Sequence, residues 1–99
     1  MAKYLVRVEL HRAGPDDYES LHSAMESAGF SRTIRGNDGV ECYLPTAEYF
    51  CEGKYSATGV RDAAQKAAAS VWSSFSVIVA EGSVLAWVGL AAVRQSAYR

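Results

Sequence analysis

Four residues of this chain could act together: Arg7, His11, Arg35 and Tyr43. An imidazole with its ordinary pKa of about 6.5 takes a proton from a hydroxyl near neutrality. Two guanidinium groups hold phosphate, and an exposed tyrosine ring stacks a base. Set on one open sheet, Arg7, Arg35 and Tyr43 would bind single-stranded RNA. His11 would then serve as a metal-independent general base on a ribose 2′-hydroxyl, which makes an endoribonuclease one reading of the set. The same residues also fit a solvated surface, with Arg7 and Arg35 paired across strands to Glu9 and Glu41 and His11 an ordinary strand-end residue beside Arg12.

Other chemistries find no support. Neither His11 nor His22 stands at metal-ligand spacing, and Cys42 and Cys51 form no C-x-x-C pair, so no metal or other cofactor is expected. The glycines of Gly36-Asn37-Asp38-Gly39 lie between two strand-like runs, not before a helix as a phosphate loop requires. Asp16 and Asp17 are accounted for as first-turn residues of a helix. A formal net charge of −1 disfavours a general affinity for polyphosphate, and no DNA partner is expected. The opening residues enter strand-like alternation at once, unlike a leader peptide, which suggests a cytoplasmic protein. The apolar run Val84 to Val93 is about half the length of a membrane span, so no membrane partner is expected.

The elements that would position these residues follow from periodicity. Tyr4, Val6, Val8 and Leu10 alternate with Leu5, Arg7, Glu9 and His11, the pattern of a half-buried strand. Gly14, Pro15, Asp16 and Asp17 open a helix whose stripe is Tyr18, Leu21, Met25 and Ala28, and Gly29-Phe30 closes it as a Schellman turn. Phe30–Arg35 and Val40–Leu44 read as a hairpin around the GNDG turn, with Val40, Cys42 and Leu44 facing a core. Pro45 should end the pairing, with the chain leaving the sheet through TAEYFCEGK. Ser56 caps a second helix running to about Val71 or Trp72, and Ser74–Ala80 forms the last strand.

This order predicts one α+β domain over residues 1–99, a ferredoxin-like βαββαβ fold. Its antiparallel four-stranded sheet would carry both helices on one face, followed by a short C-terminal element. One sheet face would stay open, collecting Arg7 and His11 with Tyr43 and, by simple alternation, Arg35.

Over roughly Tyr4 to Ile78 the chain resembles the GhoS-type antitoxins, small bacterial proteins of ferredoxin-like fold whose namesake is an endoribonuclease. The likeness is carried by the element order, by YLVRVEL in the first strand, and by AGFS leading through a short strand to NDG. It implies RNA binding and cleavage. The related CRISPR-associated nucleases place an aspartate near the end of the first strand; this chain has Leu10-His11-Arg12 there, and no catalytic residue carries over by motif.

The alternative function is a non-enzymatic interaction module, a homodimer in which the apolar tail residues Leu85, Trp87, Val88 and Leu90 form the interface.

Overall fold

The computed structural model describes residues 2–93. Its central strand is β1 (Ala2–Leu10), in which Tyr4, Val6, Val8 and Leu10 are buried and Arg7 and Glu9 are exposed. Removing each such side chain from water contributes about 1.5–3 kcal/mol, so this one face fixes the strand's orientation. The helix α1 (Pro15–Ser27) starts where Pro15 sets φ and the Asp17 carboxylate accepts the Gly14 amide at 2.8 Å. It stops at Gly29, whose φ of 98° allows the Gly29 amide to donate to Glu26 and that of Phe30 to donate to Met25. Leu21 and Met25 deliver its buried stripe.

The expected hairpin forms, but it stands apart from the main sheet. β2 (Thr33–Arg35) and β3 (Glu41–Tyr43) pair only with each other among the named strands. The Gly36–Gly39 turn closes through a Gly39 amide to Gly36 carbonyl bond of 3.0 Å, with Asp38 accepting the Val40 amide at 2.9 Å. Its inner side buries Ile34 and Cys42, and Leu44 is buried beyond it. Val40 is a correction to the sequence reading, being 44% exposed because it flanks the turn, outside the paired strand.

A second correction concerns TAEYFCEGK. Pro45 does end the hairpin, and Ala47 turns the chain at a φ of 70°, but Glu48–Gly53 then forms β4. It pairs antiparallel with β1 from Ala2↔Gly53 to Arg7↔Glu48. The alternation of this segment explains the outcome: Tyr49 is fully buried opposite Val6, and Cys51 stands opposite Tyr4 on the same face. Long-range pairing with an already amphipathic β1 outweighs the local signal of Pro45 and the acidic residues.

Ser56 caps α2 (Ala57–Ala69), accepting the Gly59 amide at 3.0 Å. Val60, Ala64, Ala67 and Ala68 are buried, and the small alanines allow the helix backbone close to the sheet. β5 (Phe75–Gly82) then runs antiparallel to β1, giving the order β4-β1-β5. Ser31 extends the sheet beyond β4 through paired 2.8 Å backbone bonds with Phe50. With the β2–β3 ribbon inserted between α1 and β4, the rest is a ferredoxin-like, βαββαβ-type arrangement. Its main sheet has three strands extended by the Ser31 bridge in place of the expected four strands, with the helices over the face that carries Tyr4, Val6, Tyr49, Val77 and Val79.

The end of the described chain pairs with the hairpin. Tyr43 donates to Ala91 and Val93 donates to Glu41, so residues 91–93 lie alongside β3.

Candidate functional site

His11 follows β1 and is held by the entry to β5. Its Nδ1 lies 2.8 Å from the Ser74 hydroxyl and its Nε2 lies 2.9 Å from the Ser76 hydroxyl. Its carbonyl accepts the Trp72 indole N–H at 2.8 Å, and Arg12 beyond it adopts a φ of 61°. A neutral imidazole has one donor and one acceptor nitrogen, so one serine donates to the ring and the other accepts from it. For His11 to take a proton from a substrate, one serine must first move aside.

Arg7 lies on the sheet face away from the helices, with its guanidinium 3.8 Å from Glu48. Such exposed pairs are worth about 0–1 kcal/mol, so this contact leaves Arg7 available. Arg35 lies in the ribbon instead, 3.4 Å from Glu41 and donating to the Gly39 carbonyl at 2.8 Å. The register Thr33↔Tyr43 and Arg35↔Glu41 puts Tyr43 on the same ribbon face as Arg35. Arg35 and Tyr43 are therefore brought together, while Arg7 and His11 belong to the other sheet. The single open face expected from the sequence is divided because the hairpin is not part of that sheet. Arg35 pairs with Glu41 across the ribbon, as the surface reading has it, whereas Arg7 pairs with Glu48 and not with Glu9.

The tail occupies the space between the two sheets. A cleft of about 270 Å³ is lined by Leu5 of β1, Ile34 and Leu44 of the hairpin, and Leu85, Trp87 and Leu90 of the tail. Leu85 and Leu90 are half-buried, Trp87 is 36% exposed, and Val88 is 94% exposed. Of the four apolar tail residues, only Val88 extends almost wholly into solvent.

The opposite edge of the main sheet is open. β5 pairs with β1 in an uninterrupted register from Lys3↔Gly82 to Leu10↔Phe75, without a bulge. Among the described residues no strand pairs with its outer side. The strand FSVIVAEG contains no proline or lysine, and its one charged residue, Glu81, lies next to its C-terminal end, away from Ile78. Ile78 is 67% exposed on the face away from the helices, and Phe75, Val77 and Val79 are half-buried on the other.

Comparison with protein-family models, with curated proteins and with solved structures gave no match to this chain. None of these comparisons ties the chain to the GhoS-type antitoxins, and what the structure shows is a small α+β domain of ferredoxin-like arrangement. Among the described residues no group of three or more His, Cys, Asp or Glu side chains is placed to hold a metal ion, and no helix is long and apolar enough to cross a membrane.

One polar pair escaped the sequence reading. His22 is buried on α1, and its Nδ1 lies 2.7 Å from the Tyr49 hydroxyl. Burial, then the charge of Arg32, lowers the His22 pKa, against the opposing pull of Glu19 and Glu26. Burial also keeps the Tyr49 phenol protonated well above its ordinary range. The available signal was the aromatic Tyr49 in an alternating segment, which becomes visible only once that segment is recognised as a strand.

Proposed function

We propose that this protein is a non-enzymatic interaction module whose β5 edge pairs with β5 of a second copy. The observation that supports this reading is the eight-residue, bulge-free edge of β5 with Ile78 exposed upon it. An unprotected edge offers a row of backbone donors and acceptors, for which an identical antiparallel edge is a complete match. With the twofold axis at Ile78, each Ile78 meets its own copy, and Val77 stands opposite Val79 of the partner on the helical side. The half-burial of Phe75, Val77 and Val79 fits a strand whose remaining apolar surface is covered on association. Sedimentation tests the reading: the wild type is dimeric at tens of micromolar, a concentration usual for modest affinity. Ile78→Lys is monomeric with unchanged secondary structure. A monomeric wild type, or a dimeric Ile78→Lys, overturns it.

A second reading, RNA binding of the antitoxin type, draws on the exposed Arg7 and on Arg35 beside Tyr43. It treats the two sheets as separate contacts for one strand of RNA, with His11 as the base for any cleavage. Phosphate contacts weaken with salt, whereas stacking is less affected. Fluorescence anisotropy with a labelled single-stranded RNA at low and high salt decides it. Binding weakened by Arg7→Ala and Tyr43→Ala supports the reading, and an absence of binding at low salt rejects it. Cleavage lost in His11→Ala, with binding retained, would make the protein an enzyme.

A further inference from the structure

At the start of α1 a cleft of about 430 Å³ is walled by Ala13, Pro15, Tyr18 and Thr46, with His22 and Arg32 supplying its charged or titratable donors. None of these residues belongs to β5, so the cleft is separate from the dimer edge.

The hydrogen bonding of His22 fixes what it offers. The Tyr49 hydroxyl has no partner but His22 Nδ1 among the described residues, so Tyr49 donates to Nδ1 and the ring proton resides on Nε2. Nε2 makes no bond within the described chain, yet among the described residues no buried side-chain nitrogen or oxygen is left without a partner. Nε2 therefore reaches the surface at the cleft and presents a donor there. The Arg32 guanidinium makes no ion pair or hydrogen bond among the described residues. Arg32 and His22 line the same cleft, so the cation and the ring donor face one space.

We infer that this cleft binds a small aromatic monocarboxylate, its carboxylate between the Arg32 guanidinium and His22 Nε2–H and its ring against Ala13, Pro15 and Tyr18. Arg32 matches a single negative charge. A phosphate dianion fits less well, because Glu19 also lines the cleft and Asp16 and Asp17 lie in the same helical turn. The apolar walls favour a ligand with a flat hydrocarbon body over a free inorganic ion.

The test is an NMR titration of the full chain with three probes: benzoate, benzamide and phenyl phosphate. Benzoate should give saturable shifts at Tyr18, His22, Arg32 and Thr46, with affinity at least about tenfold above benzamide, as expected for a charge-assisted contact. Arg32→Gln should lose that preference. Absence of saturation by benzoate, equal affinity for benzamide, or retained preference in Arg32→Gln overturns the inference; tighter binding of phenyl phosphate overturns its ligand class. Should Arg32→Gln fail to fold, the benzoate and benzamide comparison on the wild type still decides.

Discussion

His22 of α1 and Tyr49 of β4 are joined through Nδ1 and the phenol hydroxyl at 2.7 Å, in a part of the core where both side chains are buried. The contact ties the first helix to the strand that sequence reasoning placed outside the sheet. Tyr49→Phe keeps the ring and removes the proton donor, leaving Nδ1 without its partner, and should cost about 1–3 kcal/mol in urea denaturation. Denaturation of the variant indistinguishable from wild type would mean that the bond contributes nothing net.

The same pair gives a pH dependence. The folded-state pKa of His22 lies below its ordinary value, chiefly through burial. The unfolded chain therefore takes up a proton near pH 6.5, its ordinary value of about 6.5, while the folded chain still resists it. The contribution is complete above that pH and is lost as pH falls through it toward the depressed folded value. His22→Gln should flatten the fall in stability across this window, measured by urea midpoints in a pH series. Parallel curves for the two proteins would contradict the assignment.

Much of this architecture is legible in local chemistry. The alternation of Tyr4, Val6, Val8 and Leu10 specifies β1, and Gly14-Pro15, Gly29 and Ser56 mark helix ends because capping is decided within a few residues. β4 is different: Pro45 and the acidic residues argue locally for a loop, and only pairing with β1 resolves EYFCEG as a strand. The division of Arg7 from Arg35 and Tyr43 follows from that same misplacement. The open edge at β5 is a property of strand order, which periodicity does not encode.

Gly39 and Gly53 should fail for different reasons when changed to alanine. Gly39 holds a φ of 81° with nothing within 4 Å of a new Cβ, so its cost is backbone strain of about 1–2 kcal/mol. At Gly53 the added atom would stand 2.6 Å from the Tyr55 ring, which is largely exposed and able to swing away. Thermal denaturation of single and double variants separates them. In a Tyr55→Ala background Gly53→Ala should become nearly neutral, whereas Gly39→Ala should keep its full cost. Rescue of Gly39→Ala, or no rescue of Gly53→Ala, would refute the explanation.

Trp87 lines the space shared by the tail, the hairpin and β1. Trp87→Ala should lower stability by about 1–3 kcal/mol through lost apolar burial, without changing the sedimentation of the dimer. A monomeric variant with an unchanged melting temperature would move the interface to the tail.

The most direct test of the β5 pairing is a cysteine placed on its twofold axis. In antiparallel strands the Cα atoms of directly opposed residues lie about 4.5–5.5 Å apart, within the range that a disulfide spans. Ile78→Cys should therefore give a covalent dimer under mild oxidation, seen as a doubled mass on a non-reducing gel and reversed by reductant. Val88→Cys, on the tail and more exposed to oxidant than position 78, should remain mostly monomeric. A covalent dimer through position 88 but not through position 78, or through neither, would contradict the proposed edge.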